Sequence, residues 1–201
     1  MTHDLVIRKA DPTDAEESDA VRSVIAAAFV EQPSVATLWA DVERRGHARG
    51  SLVALEAGRV VGHVGLSHSW LDTRRRLVDV LVLSPLSVVP ARQGSGIGGR
   101  LLAAAIEAAQ ELAAPAVFLE GDPGFYSRHG FVPGSEHGLL APSARIPGPA
   151  FQVVLLERHE PWMTGRLVYR EVWWDHDAVG LRDPGLAEVE QHLGVADPSG
   201  A

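Results

Sequence analysis

Four closely spaced glycines are the feature of this sequence that most directly indicates chemistry. Gly94, Gly96, Gly98 and Gly99 follow Gln93, between an apolar run and a segment rich in alanine and leucine. Glycine reaches positive φ and has no Cβ, so the backbone N–H groups of such a turn can approach a ligand closely. Because the flanking segments predict a strand and a helix, these groups would meet at a helix N-terminus. The sequence therefore predicts a site for a phosphate or pyrophosphate.

Two familiar phosphate-binding motifs are less compatible with this turn. A Walker-type loop requires Lys and then Ser or Thr after its last glycine, whereas Gly99 and Arg100 follow Gly98 here. Gly94, Gly96 and Gly99 do match the dinucleotide fingerprint G-x-G-x-x-G. That fingerprint opens a βαβ unit and has an acidic residue about 20 residues later, whereas this turn lies mid-chain after other predicted strands. A Rossmann-type site is therefore the weaker alternative.

A third pattern fits the turn better. Gln93, Gly96 and Gly98 follow a strand end that reads Leu86-Ser87-Val88-Val89-Pro90, and this arrangement resembles motif A of the GNAT superfamily of acyl-CoA N-acyltransferases. Further on, Gly121–Phe131 resembles the second landmark of that family, an aromatic pair followed by Gly-Phe. Together the two motifs resemble the YhbS-like branch of predicted N-acetyltransferases.

The resemblance covers about residues 4 to 157 and implies a fold. The expected class is α/β, with a GNAT-type mixed, mostly antiparallel sheet whose central parallel strands splay apart, flanked by helices. We assign residues 1–160 to the N-acetyltransferase domain and residues 161–201 to a C-terminal strand/helix extension packed on it. This extension either completes the domain's own sheet edge or forms a lid or a homodimer contact.

The resemblance also implies how acetyl-CoA would be held as a co-substrate. Its pyrophosphate would lie on the glycine turn, and its pantetheine arm would hydrogen-bond to strand backbone as an added strand does. One of these backbone N–H groups would also polarise the thioester carbonyl. The expected coenzyme-binding residues are Leu86, Ser87, Val88, Gln93, Gly94, Ser95, Gly96, Ile97, Gly98 and Tyr126.

Acetyl transfer to an amine also needs an acid and a base. Tyr126 matches the usual general acid of the family, and its phenol, with a pKa of about 10, suits a departing thiolate. The base is not assigned, because the Glu that many relatives carry eleven residues before the motif Gln is Val82 here. The acidic candidates are Glu31, Asp79 and Glu120, and a chain of ordered water is the alternative.

The predicted central strand contains one residue that indicates an irregularity. The apolar run from Leu77 to Pro90 is rich in β-branched residues and predicts a strand. Pro85 cannot donate to a β-ladder, so we expect the sheet to be interrupted or bulged there. In the GNAT family such a bulge admits the pantetheine arm.

The other predicted elements would support these residues. In chain order we expect a strand at 5–8, a capped helix after residue 14, a helix at 35–47, strands at 51–55 and 59–66, a helix to about 112, and strands at 116–119 and 151–156. We further expect a loop at 134–148, strand-like segments at 167–169 and 172–174, a short helix at 184–193 and disorder at 197–201.

Composition limits the function classes. A chain of 201 residues with 46% hydrophobic content can form one sizeable core. The net charge of −8 disfavours nonspecific binding to nucleic acid or anionic membrane. The absence of cysteine excludes disulfides, thiolate metal ligands and a cysteine-linked acyl-enzyme.

The sequence also bears on cellular location and on metal binding. The sequence shows no signal-like start and no membrane-length apolar run, so we expect a cytoplasmic location. Asp175-His176-Asp177 is the densest set of potential metal ligands, yet it lacks the spacing of a metal site, and no metal is predicted.

Three functions are compatible with these patterns. The first is transfer of an acetyl group from acetyl-CoA to a small-molecule or peptide amine, directly and within a ternary complex. The second is a noncatalytic acyl-CoA-binding sensor, which the missing base would explain. The third is a protein-interaction module that uses the tryptophan-rich C-terminal segment.

Overall fold

The structure is a computed structural model that describes residues 4–195. The segment 197–201, for which disorder is expected, lies outside the described residues. The strands are β1 (Leu5–Lys9), β2 (Ala48–Glu56), β3 (Arg59–Thr73), β4 (Leu77–Val88), β5 (Ala116–Glu120), β6 (Val132–Pro133), β7 (Leu139–Leu140), β8 (Phe151–Leu155) and β9 (Gly165–Val168). The helices are α1 (Ala15–Ala28), α2 (Ser34–Arg44), α3 (Ile97–Glu111), α4 (Pro123–Tyr126), α5 (Glu171–Asp175) and α6 (Gly185–Leu193).

These strands belong to one sheet, which is mostly antiparallel and contains a parallel pair, β7 with β9. The mixed α/β class expected from the resemblance is therefore confirmed, whereas the splay between two central strands stays a prediction. The described chain divides into two compact units. Unit 1 contains the residues up to His68 together with Leu81–Ala114, and unit 2 contains Ser69–Val80 and the residues from Pro115 onward. The predicted domain boundary at residue 160 stays a prediction.

Unit 1 contains the helix and strands that present the glycine turn. β1, β2 and β3 pair antiparallel, and the β2–β3 hairpin turns at Ala57 and Gly58, both with positive φ. α1 begins after Asp14, whose carboxylate accepts the N–H groups of Glu16 and Glu17. These elements agree with the predicted strands and with the predicted cap.

Close backbone approaches fix the packing of β3 within unit 1. A Cβ on Gly62 would lie 2.9 Å from the Cδ1 atom of Leu101 on α3, and one on Gly65 would lie 2.8 Å from the Ser84 carbonyl oxygen. Glycine at these positions lets α3 and β4 approach β3 without a clash. Because α3 is held directly on the sheet, the turn that precedes it has a fixed anchor.

Unit 2 contains the second half of the sheet. β8 pairs antiparallel with β5 and with β6, and the end of β3 pairs antiparallel with β9. β9 also pairs with β7, so both of its edges are used inside this unit. The loop expected at 134–148 is therefore wrong in part. It contains the two-residue strand β7, which is too short to produce a recognisable alternating pattern.

Two further expectations need correction. The interruption expected at Pro85 is wrong, because β4 continues through this residue: a proline lacks only its own N–H, and its neighbours can still pair. The alternative, a bulge at Pro85, stays a prediction; the Ser84–Pro85 peptide bond is cis. Residues 172–174, expected as strand-like, lie in helix α5. β-propensity reflects packing on a half-buried surface more than an intrinsic backbone preference, and tertiary context overrides it here.

Within residues 4–195, no helix is both long and apolar enough to cross a membrane.

Candidate active site

The glycine turn connects β4 to α3 as predicted. After β4 ends at Val88, a short 3₁₀ turn covers Pro90–Arg92, and the chain then reaches Gly94 and Gly96, with φ of 72° and 83°. Gly96 is the N-cap of α3, which begins at the buried Ile97. Glycine is the residue that adopts this left-handed backbone conformation at low cost. The two glycines of the turn therefore determine its shape without help from distant residues.

The N-terminus of α3 is open on the side of the turn. Gly96 has no side chain, so no side chain of the N-cap accepts the first N–H groups of this 15-residue helix. A Cβ placed on Gly94 or on Gly96 would meet no atom within 4 Å. Uncapped N–H groups, a helix dipole and open space together form a site suited to an anion.

Three side chains hold the turn in place. Gln93 donates from its amide Nε2 to the Val88 carbonyl oxygen at 3.1 Å. The Ser95 hydroxyl donates to the Arg92 carbonyl oxygen, and the Arg92 guanidinium pairs with Glu56. The side chains of Gln93 and Ser95 therefore support the loop, while its backbone remains the part that faces outward.

The strand end that precedes the turn alternates in burial. Leu86 and Val88 are half-buried, whereas Ser87 is buried and donates from its hydroxyl to the His63 carbonyl oxygen at 3.3 Å. His63 is itself fully buried, with its Nε2 atom 2.9 Å from the Ser51 hydroxyl, and burial lowers its pKa to about 3. This imidazole stays neutral at physiological pH and packs against Trp39 as part of the core.

Tyr126 lies in unit 2 at the end of α4. Asp122 is the N-cap of this helix, and its carboxylate accepts the Gly124 N–H. The Tyr126 ring makes edge contacts with Phe125 and Phe131, at centroid distances of 4.9 and 5.8 Å. Burial, followed by the Asp122 carboxylate, raises the pKa of Tyr126 to about 12. The phenol therefore stays protonated at physiological pH and can donate a proton, but it is a weaker acid than the unperturbed phenol, with a pKa of about 10, expected from the sequence.

Glu120 ends β5, two positions before the Asp122 cap, and both of its carboxylate oxygens have partners. The Tyr169 hydroxyl donates to Oε1 at 2.8 Å, and the Gly180 N–H donates to Oε2 at 3.1 Å. Burial raises the pKa of Glu120, while these two donors and the charge of Arg145 act in the opposite direction. A buried carboxylate held in this way is more basic than one in water.

The other two base candidates lie in different surroundings. Glu31 is exposed between α1 and α2 in unit 1, and Asp79 is exposed on β4. Gly121, which follows Glu120 in the chain, packs against the ring of Tyr126: a Cβ on Gly121 would lie 2.9 Å from the Tyr126 Cδ2 atom. The backbone next to Glu120 is therefore in contact with the predicted general acid.

Sequence reasoning missed Tyr169 and Gly180. Both lie in the C-terminal segment, 49 and 60 residues after Glu120. The strand-like run at 167–169 located Tyr169 in a predicted element, but no local pattern indicates a hydrogen-bond partner so distant in sequence.

Comparison with known proteins agrees with these features. A family model described as an acetyltransferase (GNAT) domain matches residues 47–133. The Escherichia coli K12 protein named uncharacterized N-acetyltransferase YjhQ is 34% identical over 134 residues, which are 65% of this chain and 73% of YjhQ. The E. coli K12 protein named uncharacterized N-acetyltransferase YhbS is 32% identical over 152 residues, covering 74% of this chain and 86% of YhbS.

Two solved structures of GNAT family proteins are also similar to this chain. The crystal structure of E. coli YhbS in complex with CoA has a TM-score of 0.75 at 26% identity and covers 86% of this chain and 93% of that one. A GNAT family acetyltransferase from Brucella melitensis in complex with acetyl-CoA has a TM-score of 0.67 at 28% identity, covering 85% of this chain and 99% of that one. The extent of these similarities shows that this chain belongs to the GNAT family of N-acetyltransferases.

Proposed function

We propose that this protein transfers an acetyl group from acetyl-CoA to an amine, directly and within a ternary complex. The observation that carries the proposal is the open N-terminus of α3, where two left-handed glycines leave backbone N–H groups uncapped and accessible. The family, and the CoA and acetyl-CoA bound by two structural relatives, support the same coenzyme.

The turn and the strand end would bind different parts of acetyl-CoA. Backbone N–H groups from Gly94 to Gly98 donate hydrogen bonds to the pyrophosphate oxygens, and the side chains of Gln93 and Ser95 keep the turn in shape. The backbone of Leu86–Val88 binds the pantetheine amides. One of its N–H groups stabilises the oxyanion that forms on the thioester carbonyl.

The chemistry then has three proton transfers. A base removes a proton from the acceptor ammonium, and the neutral amine attacks the thioester carbonyl to form a C–N bond. The tetrahedral intermediate collapses by breaking the C–S bond, the Tyr126 phenol protonates the departing thiolate, and the nitrogen gives up its extra proton, which returns to the Tyr126 phenolate. The chain contains no cysteine, so a cysteine-linked acyl-enzyme cannot form. Direct transfer does not require one.

Glu120 is our choice for the base. Its carboxylate is partly buried, its pKa is raised, and the next residue in the chain contacts the Tyr126 ring. Burial favours the neutral acid and so makes the carboxylate a better proton acceptor than an exposed one. Glu31 and Asp79 are exposed and do not share the enclosed surroundings of Glu120.

Calorimetry and turnover test this function together. We expect acetyl-CoA to release measurable heat on binding, and free CoA to accumulate when a panel of primary amines is added. Tyr126→Phe should still bind acetyl-CoA, because the backbone of the turn and of the strand end supplies most of the expected contacts, and should lose about a hundredfold in kcat. Absence of any binding heat or thermal shift would overturn the proposal.

A noncatalytic acyl-CoA sensor is the second candidate, because the position of the common catalytic Glu is Val82. It predicts binding without CoA release for any amine. The two functions are therefore separated by turnover in the same experiment.

A further inference from the structure

Tyr169 is a fully enclosed tyrosine with a specific polar partner. Its side chain is 3% exposed, and its ring stacks on Trp173 with centroids 5.0 Å apart. A buried phenol of this kind needs a hydrogen-bond acceptor, since an unpaired hydroxyl is costly inside a protein. Glu120 provides that acceptor at 2.8 Å.

Gly180, which provides the second donor to Glu120, is held as firmly. Its φ is +68°, and a Cβ there would lie 2.6 Å from the carbonyl carbon of Arg145. The neighbouring Leu181 N–H donates to the Arg145 carbonyl oxygen at 2.9 Å. The backbone N–H that meets Glu120 is therefore fixed by contacts on both sides.

We propose that Tyr169 and the Gly180 N–H are positioning groups that hold the Glu120 carboxylate in the orientation in which it accepts the acceptor's proton. The inference rests on the proposed acetyl transfer and adds a role for the C-terminal segment, which lies outside the residues matched by the family model. It assigns that segment a catalytic contribution in place of a lid or a dimer contact.

Each oxygen of the Glu120 carboxylate has a lone pair left with which to accept a proton. An ionised carboxylate offers about four lone-pair positions, and Tyr169 and the Gly180 N–H use one on each oxygen. The titratable and charged groups that act on Glu120 are the neutral Tyr169 phenol and the Arg145 guanidinium, which also pairs with Asp177 at 3.2 Å. The two donors fix the plane of the carboxylate, and the remaining lone pairs can receive a proton.

The test is the pH profile of kcat/KM for the amine in Tyr169→Phe. Phenylalanine keeps the stacking on Trp173 and removes only the hydroxyl, which stabilises the ionised form of Glu120. We expect the acidic limb of the profile to move to higher pH by about one unit, as for loss of one hydrogen bond to a charged group. The Kd of acetyl-CoA should not change, because Tyr169 is not among the predicted coenzyme-binding residues.

Two further variants separate positioning from structural support. Trp173→Phe weakens the packing of Tyr169 but leaves its hydroxyl, so it should lower Tm without moving the acidic limb. Glu120→Gln should lower kcat/KM by about a hundredfold and remove the acidic limb of its pH profile. Adding Tyr169→Phe to Glu120→Gln should then leave kcat/KM unchanged. Glu188→Gln, an exposed carboxylate in the same unit, is the matched control and should behave as wild type.

The outcomes are distinguishable. If the wild type turns over no amine, the proposed function fails. If it turns over amine but Tyr169→Phe lowers only Tm and keeps the wild-type acidic limb, the positioning role is wrong and the contact is structural. If Glu31→Gln or Asp79→Asn removes the limb while Glu120→Gln does not, the base lies elsewhere and the inference falls with it.

Discussion

The Tyr126 ring lies directly against the backbone of Gly121, so that a Cβ on Gly121 would stand 2.9 Å from the Tyr126 Cδ2 atom. The same glycine is held at both of its own polar groups: its N–H donates to the Ala150 carbonyl at 3.0 Å, and its carbonyl accepts the Gln152 amide at 3.0 Å. Neither the glycine nor the ring can therefore move without disturbing the other. This contact links the orientation of the proposed acid to the strand end that carries Glu120.

Gly121→Ala should displace the Tyr126 ring and reduce kcat. The added methyl group cannot fit against the ring, and a catalytic group shifted by about 1 Å can cost on the order of a hundredfold in rate. The measurement is kcat with a responsive amine, together with the Kd of acetyl-CoA, which we expect to be unchanged. Gly148→Ala is the control, because a Cβ there meets nothing within 4 Å. Wild-type kcat in Gly121→Ala would show that the orientation of Tyr126 does not matter.

Gly96→Ala should weaken acetyl-CoA binding more than it weakens the fold. Alanine has open space at this position, but its Cβ disfavours the φ of 83° by about 1–2 kcal/mol, so the turn would relax away from its binding conformation. Titration calorimetry should show at least a tenfold rise in Kd. Gly46→Ala is a matched control, since Gly46 has a φ of 73° and open space outside the turn. Similar losses of Tm with unequal losses of affinity support the prediction, whereas equal affinities contradict it.

The glycine turn could be predicted from sequence because its determinants are local. Positive φ at Gly94 and Gly96, the strand before them and the helix after them are all encoded within a short run. The same is true of α1, because Asp14 caps the helix that it precedes. In such cases each residue's own conformational preference agrees with the final fold.

The surroundings of Glu120 could not be predicted in this way. Tyr169 and Gly180 reach it from 49 and 60 residues away, and only the tertiary fold brings them together. Helix α5 was missed for a related reason: Val172 and Trp173 favour strands in isolation, but both are buried in a helix here. Long-range contacts and short elements decided by packing are the parts that sequence periodicity does not encode.

Both tyrosines should resist ionisation in the native protein. The chain contains two tyrosines; burial raises the pKa of Tyr126 to about 12, and burial followed by the Glu120 carboxylate raises that of Tyr169 well above its usual value. Because the folded pKa values exceed the unfolded value of about 10, the folded state binds these protons more tightly. The resulting stability is complete below about pH 10 and is lost as the pH rises towards about 12.

Absorbance at the tyrosinate band, followed with circular dichroism, checks this pH dependence. We expect no tyrosinate step near pH 10 while the native spectrum persists, and a step near pH 10 in denaturant. Tyr126→Phe reports Tyr169 alone and should delay the signal further. A tyrosinate step at pH 10 in the folded protein would show that at least one phenol is open to water.

Gly165→Ala should destabilise unit 2 by separating β9 from β3. Gly165 faces Thr73 in the antiparallel pair and has a φ of +148°, and a Cβ there would lie 2.9 Å from the carbonyl carbon of Asp72 and 3.2 Å from the Thr73 Cα. Backbone atoms cannot yield as a flexible side chain can, so we expect a loss of about 2–4 kcal/mol and a Tm lower by roughly 5–10 °C. Gly185→Ala, at the start of α6 with nothing within 4 Å, is the control and should be neutral or slightly stabilising.

Because Tyr169 directly follows β9, Gly165→Ala should also move the acidic limb of the kcat/KM profile to higher pH. An unchanged Tm would show that the pairing of β9 with β3 tolerates a methyl group at this position, and would contradict the prediction.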